Sequence, residues 1–417
     1  MWSFYRFILT AWPVHACTYF ELNATGTEHV IGRSMEFGRM FWLTDFRVQV
    51  FPPGHTFDIF PGTSTEALYG FVGIGANVVP SMAPSVLNIV TDGMNDQGLS
   101  VAVHSQYRAQ YQAPEERPTS RVLWMLVASW LLGSFKNVGE VKEAVLSGQY
   151  HITNGPNQEA WQRFAKVAGM HWAIADKDGE SIVLEYERGE PKVYRNVVGV
   201  MTNDPFFAWH VENLNAHSWL SWQSDQNRRA VEISVDTGDL LAGQVQVPQN
   251  MGHGFNLGGL PGDHSPPSRF LRTFFMKQIS QHNSPKPANA WQAVGMAQAI
   301  LNHVFIPQGS TGPDPEVTSL ACKLSPSLCS LVNSDFTIWD TLRIPQKGWM
   351  AFRTYADGQW AYINLKELDW TPKSWPMPHL KLRSLEDLNM KDITAMLNGP
   401  AQQVEAQDAS LSGFDII

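Results

Sequence analysis

A chain of 417 residues with 44% hydrophobic and 12% aromatic content can bury a large core, and its length alone allows two or three domains. Its net charge of −9 comes without a basic block, so the phosphate-neutralising surface that nucleic-acid binding requires is missing, and nucleic acid is not an expected partner. No apolar run reaches the ~20 residues needed to cross a bilayer; the longest, Val122 to Gly133, reads as a buried helix.

Residues Met1 to Ala16 read as an export signal: Arg6 supplies the positive start, Phe7 to Val14 a short apolar core interrupted by Pro13, and Ala16 the small residue before the cut. Cleavage there makes Cys17 the N-terminus of a soluble protein that is periplasmic or secreted. A cysteine with a free α-amino group carries nucleophile and base on one residue, because the amine titrates at about 7.7–8.0 and can take the thiol proton. Two other readings of this segment stand beside it. It could be an N-terminal strand of the folded domain, or Val14-His15-Ala16-Cys17 could be a lipoprotein box, in which case acylation blocks the amine.

Strand signals come next at Thr18 to Leu22 and His29 to Glu36, flanking Asn23-Ala24-Thr25-Gly26-Thr27 as a hairpin. A turn centred near Thr25 sets position 17 opposite position 33, so Arg33 stands beside Cys17, where a guanidinium favours the thiolate. A second pair, Ser85 to Thr91 and Leu99 to Ser105, is joined by the turn-rich Asp92 to Gly98 and delivers His104 and Ser105 at its far end.

After a helical region over Arg121 to Ser147, a meander reads as strands at His171 to Ala175, Ser181 to Tyr186 and Val193 to Thr202. Proline in Asn203-Asp204-Pro205 ends the last ladder. Asn203 therefore sits at a strand terminus, with its amide either pointing into a site or capping a turn. Phe206, Phe207, Trp209, Trp219 and Trp222 read as core. Leu257 to Arg272 is a Gly/Pro-rich loop with Arg269 just after two prolines. A helix near Asn289 to Val304, an irregular stretch from Pro307 to Val332, and strands at Asp335 to Leu342, Trp349 to Tyr355 and Gln359 to Asn364 complete the body. Of three cysteines, Cys322 and Cys329 lie close enough in a Pro/Ser-rich loop for an exported protein to join them, leaving Cys17 unpaired. Gly399 to Ile417 reads as a mobile tail. Zinc, serine-hydrolase and phosphate-loop signatures are all missing: there is no HExxH, GxSxG, GxxxxGK[ST] or paired CxxC.

Several blocks in one order carry a resemblance: Ala16-Cys17-Thr18, Gly32-Arg33-Ser34-Met35-Glu36-Phe37, Gly93-Met94-Asn95-Asp96-Gln97-Gly98-Leu99, HWAIADKDGESIVLEY, GVMTNDPFFAWHVENLN and GLPGDHSPPSRFLR, fading near Trp370. Together they resemble the choloylglycine hydrolase family of linear-amide hydrolases, which contains bile salt hydrolases and penicillin V acylases. The resemblance implies an α+β fold, a four-layer αββα N-terminal-nucleophile sandwich with two antiparallel sheets. It implies one catalytic domain over 17–370, preceded by the 1–16 segment and followed by a partly disordered extension, 371–417. By position it makes Cys17 the nucleophile, Arg33 the support of its thiolate, Glu36 a hydrogen-bond partner of the α-amine, Asn203 an oxyanion donor and Arg269 part of the polar floor. His104 and Ser105 face substrate in the same reading.

Two departures are visible. Glu36 stands where the family usually has aspartate, and Ser105 where bile salt hydrolases have asparagine and some penicillin V acylases tyrosine. The implied partner is a small-molecule amide pairing an apolar acyl group with a small polar amine: a conjugated bile salt, phenoxymethylpenicillin or an N-acyl homoserine lactone. No metal or organic cofactor is implied, and assembly as a homotetramer is common among members. The rivals are a papain-type hydrolase with His104 or His171 as base, and a lipid-anchored ligand-binding protein.

Overall fold

In the computed structural model the described residues are 17–23, 26–37, 46–78, 87–113, 120–156, 161–162, 165, 168–220, 257–312, 335–355, 358–371, 379–381 and 391–395. The 1–16 segment, Cys322, Cys329 and the 399–417 tail lie outside them. The front of the chain is all strand: β1 Cys17–Asn23, β2 His29–Phe37, β3 Phe46–Phe51, β4 Thr56–Phe60, β5 Thr63–Glu66, β6 Phe71–Val78, β7 Leu87–Asn95, β8 Ser100–Ser105 and β9 Ser120–Leu123. Helices α1 Val127–Ser134 and α2 Val138–Leu146 come next. They are followed by β10 Tyr150–Thr153, β11 Met170–Ala175, β12 Ser181–Glu187, β13 Glu190–Arg195 and β14 Val200–Met201. Three helices, α3 Phe207–Asn215, α4 Pro266–Asn283 and α5 Ala290–Val304, precede the final strands β15 Phe336–Ile344, β16 Trp349–Thr354, β17 Ala361–Asn364, β18 His379–Lys381 and β19 Lys391–Asp392.

These strands form two large sheets, ordered β14-β1-β2-β15-β16-β17-β19 and β13-β12-β11-β8-β7-β6-β3-β18. Every pairing within them is antiparallel except β17 with β19. Period-2 alternation distributes the side chains. Cys17 and Tyr19 face the second sheet, where Tyr19 meets His104 edge-on with ring centroids 6.4 Å apart. Thr18 and Phe20 face the other way, toward α4, where Phe20 shares a buried cluster with Phe270. Helices α4 and α5 cover β1 and β2, and α1 covers β7 and β8. The layers are therefore helix, sheet, sheet, helix, the expected αββα sandwich. No described helix is long and apolar enough to cross a membrane.

Local chemistry accounts for the helices and for the differences from expectation. Asn137 and Asn289 cap α2 and α5 by accepting the backbone N–H of Glu140 at 2.9 Å and of Gln292 at 3.2 Å. The apolar run from Val122 to Gly133 is buried, as expected, but only its second half is α-helical. Val122 and Leu123 pair with β10, and Trp124 to Leu126 make one 3₁₀ turn. Helix α4 begins inside the stretch read as loop, because Pro266 and Pro267 occupy its first turn, where no backbone N–H is needed. Strands β3 to β6 were not foreseen. In β6, Gly73 and Gly75 interrupt the strand signal, yet a side chain at Gly75 would land on the carbonyl of Ile89.

The hairpin register also differs. The turn is centred at Gly26, whose φ is 89°; Asn23 pairs with His29, Tyr19 with Arg33, and Cys17 with Met35. The slip is two residues, so each side chain keeps its face and Arg33 still points the same way as Cys17. The segment read as one strand from Val193 to Thr202 is two. β13 pairs with β12 in the second sheet, and after Asn196 to Gly199 β14 pairs with β1 in the first. That change of sheet carries Asn203 to the end of β1.

Gly75→Ala should destabilise the fold by about 1–3 kcal/mol or more, the usual penalty of overpacking, read from urea unfolding. An unchanged midpoint would mean that β6 and β7 slide apart freely.

Candidate active site

Cys17 is 1% exposed at the start of β1. Its backbone nitrogen donates to Asn203 Oδ1 at 2.6 Å, and its carbonyl accepts from Arg269 Nη1, also at 2.6 Å. Its Sγ lies 3.5 Å from Met35 Sδ and 3.6 Å from Arg33 Nη2. Arg33, Asn203 and Arg269 thus converge on Cys17 from β2, from the end of β14 and from the first turn of α4.

Arg269 joins these segments. Nη1 also donates to Thr18 Oγ1 at 2.8 Å, Nη2 to Asn203 Oδ1 at 2.9 Å, and Nε to the His264 carbonyl at 2.9 Å. Asn203 in turn donates from Nδ2 to the Ser105 carbonyl at 3.1 Å. An amide group has two N–H bonds on Nδ2, so a second remains for a ligand. Arg33 Nη2 donates to Met35 Sδ and the Val103 carbonyl, both at 2.9 Å, and its Nε stands 4.0 Å from Asp92. Its guanidinium lies 5.8 Å from the Trp339 ring centre.

The electrostatics correct one expectation. Arg33 does favour the thiolate, but burial is the larger influence, and the Cys17 thiol is raised above its ordinary value. A buried thiol of this kind needs a base. Glu36 is pushed up to about 7, mainly by burial, against the pull of Arg269, Ser34 and Arg33. Its Oε1 accepts from Thr337 Oγ1 at 3.1 Å, while Oε2 is buried without a partner. The expected bond from Glu36 to the Cys17 nitrogen is not formed here; that nitrogen belongs to a peptide bond in the full-length chain and is taken by Asn203. Asp335 lies beside this pair, its carboxyl pushed up to about 8 by burial and then by Glu36.

His104, read as facing substrate, bonds the main chain just after β14. Its ring is buried between the sheets, Nδ1 lies 3.0 Å from the Thr202 carbonyl, and burial holds it well below the usual histidine range. Ser105 is buried and contributes its carbonyl to Asn203. His171 has both ring nitrogens engaged, Nδ1 with Glu185 Oε1 at 2.8 Å and Nε2 with the Thr202 carbonyl at 3.0 Å. Neither histidine bonds the thiol, which removes the structural support for a papain-type base.

Sequence reasoning passed over Thr18, Met35 and the Asp92–Arg343 pair. Asp92 was read as a turn residue, yet β7 runs through it. Its carboxylate takes an ion pair from Arg343 and a hydrogen bond from Thr341 Oγ1 at 2.6 Å, behind Arg33. Among the described residues no cluster of three or more His, Cys, Asp or Glu side chains is arranged to hold a metal ion.

The model of the linear amide C–N hydrolases, choloylglycine hydrolase family, matches residues 17–370. A bile salt hydrolase/transferase of Clostridium perfringens is 26% identical over 352 residues, spanning 84% of this chain and 93% of the relative. One from Lactiplantibacillus plantarum is 28% identical over 300 residues, spanning 71% and 78%. Among solved structures, a variant of the conjugated bile acid hydrolase from Clostridium perfringens superposes with a TM-score of 0.65 at 25% identity, covering 85% of this chain and 94% of that one. Penicillin V acylase from Agrobacterium tumefaciens superposes at 0.62 with 19% identity, covering 93% and 98%, a likeness of fold alone.

Glu36 supplies a pH test on the full-length chain. Its folded value is raised from 4.5 to about 7, so protonated Glu36 contributes stability that is complete below 4.5 and lost as pH rises through about 7. Between those limits the parent should lose stability relative to Glu36→Gln in urea unfolding at stepped pH. A constant difference would mean Glu36 is not held protonated.

Proposed function

The chain belongs to the choloylglycine hydrolase family of linear amide C–N hydrolases, and from that premise we propose that it is a cysteine-dependent N-terminal-nucleophile amidohydrolase with Cys17 as the attacking residue. The observation that carries the reading is the convergence of Arg33, Asn203 and Arg269 on the sulfur, nitrogen and carbonyl of one residue. Removal of residues 1–16 turns the Cys17 nitrogen into an α-amine beside Asn203 Oδ1, and in this reading the amine takes up the bond to Glu36 that the family resemblance implies.

In this reading the groups act in turn. The amine, titrating at about 7.7–8.0, takes the proton of the burial-raised thiol. Sγ attacks the amide carbonyl carbon, and the free N–H of Asn203 Nδ2 donates to the oxyanion. Collapse breaks the C–N bond, the ammonium protonates the leaving amine, and a thioester to Cys17 remains. Water, deprotonated by the same amine, hydrolyses the thioester and regenerates the thiol. Arg269 keeps Cys17 and Asn203 in register throughout, and Arg33 offsets charge at sulfur.

The substrate in this reading pairs an apolar acyl group with a small polar amine, consistent with the bile salt hydrolases among the relatives. Export, with the leader removed outside the cytoplasm, and homotetramer assembly complete the proposal. N-terminal sequencing and intact mass of the exported protein test its premise: a free Cys17 supports it, while retained Met1 or a lipid on Cys17 rejects it.

Cys17→Ala should abolish turnover of conjugated bile salts, phenoxymethylpenicillin or N-acyl homoserine lactones, whichever the parent hydrolyses, with folding retained. A residual rate near that of the parent sinks the mechanism. Asn203→Ala should lower kcat by on the order of 10²–10³, the usual loss for one oxyanion donor. An unchanged kcat reassigns Asn203 to turn capping.

A further inference from the structure

Asn203 has an unusual support problem. It must aim one amide at the Cys17 site, yet the ladder between β14 and β1 ends at Met201, two residues earlier. Beyond it the chain turns through Asp204-Pro205-Phe206. A lone amide on a turn samples several directions unless its main chain is held by other means.

The means come from the opposite sheet. Two buried ring nitrogens, His104 Nδ1 and His171 Nε2, each lie 3.0 Å from the Thr202 carbonyl. His210 Nε2 lies 2.8 Å from the carbonyl of Asn203 itself, with its ring stacked 4.7 Å from Phe270, the neighbour of Arg269. Asp204 Oδ2 accepts the Tyr107 backbone N–H at 2.8 Å. On the far side of the turn, both oxygens of Glu185 accept the Phe207 N–H, at 3.0 and 3.1 Å, and Oε1 also receives His171 Nδ1 at 2.8 Å.

His171 and Glu185 therefore bracket Asn203. His171, on β11, grips the residue before it. Glu185, on β12, grips the first N–H of α3 after it, and the two are bonded to each other inside the sandwich. Both ring nitrogens of His171 are engaged, one with Glu185 Oε1 and one with the Thr202 carbonyl. His104 and His210 hold the same turn from single nitrogens. Neither His171 nor Glu185 touches Cys17 through any of these bonds.

We propose that the His171–Glu185 couple is a positioning device for Asn203, setting the direction in which its amide meets the developing oxyanion. This rests on the hydrolase reading above. The couple acts through the main chain at Thr202 and Phe207, so its loss should weaken transition-state stabilisation and leave the nucleophile and substrate binding in place. The expected signature is a fall in kcat without a matching rise in KM.

A double-mutant cycle with Asn203 tests this. Using an amide that the parent hydrolyses, kcat and KM are measured for His171→Ala, Asn203→Ala and the double variant, with His171→Gln replacing His171→Ala if the latter fails to fold. Misaiming a donor costs on the order of 10²-fold in kcat, so His171→Ala should lose about that much in the parent background, with KM within about threefold. In the Asn203→Ala background it should lose almost nothing further. Alkylation of Cys17 by iodoacetamide, which forms no oxyanion, should proceed at the parent rate. Additive losses, a loss in KM alone, or slowed alkylation would overturn the positioning role while leaving the hydrolase reading intact. A parent inert toward every amide tested, and indistinguishable from Cys17→Ala, would overturn the hydrolase reading and this role with it.

Discussion

One guanidinium connects segments that are otherwise far apart in the chain. Arg269 bonds the carbonyl of Cys17, the hydroxyl of Thr18 and the amide oxygen of Asn203 at once, so β1, the end of β14 and the start of α4 meet at a single planar fork. Five donors in fixed directions suit this task better than the point charge of lysine. The charge is fully buried, and burial draws Arg269 below the usual arginine range. Leaving such a group without its acceptors would cost several kcal/mol. Strand β1, the end of β14 and helix α4 therefore hold their relative positions together or lose them together.

Arg33 and Arg343 extend the same logic into the space between the sheets. Both share Asp92, which β7 presents from the second sheet, and Arg343 also donates to the Gly93 carbonyl at 3.1 Å. These bonds fasten one sheet to the other directly behind the thiol. They also explain why Arg33 does not leave the thiol strongly acidic. Its charge is divided among Asp92, the Val103 carbonyl and Met35, while burial works against the thiolate. In the proposed mechanism the proton of Cys17 leaves by a base, the Cys17 nitrogen that Asn203 holds.

Much of this was legible in the residues, unevenly. The β1–β2 hairpin was visible because alternation and a Gly-containing turn are local signals, and a two-residue error in its centre left Arg33 on the correct face. Asn203 was visible because Pro205 marks where a ladder stops. Helix α4 was hidden by two prolines that look like loop and in fact fill a first turn, and β6 by glycines whose use is to admit the Ile89 backbone. His104 was read as facing substrate beside Ser105. The structure shows its Nδ1 against the Thr202 carbonyl and its ring edge-on to Tyr19 of the other sheet.

By itself the sequence determined the strand-rich sandwich and the family, and it singled out Cys17, Arg33, Glu36, Asn203 and Arg269 as candidates, since each of these depends on local pattern or on ordered blocks along the chain. Only the tertiary structure decided how they meet. The crossing of the chain between sheets at Asn196 to Gly199 places Asn203 beside β1, and burial overrides Arg33 at the thiol. Both are sums over residues distant in sequence, and neither the direction of a strand change nor the depth of burial is encoded at any one position.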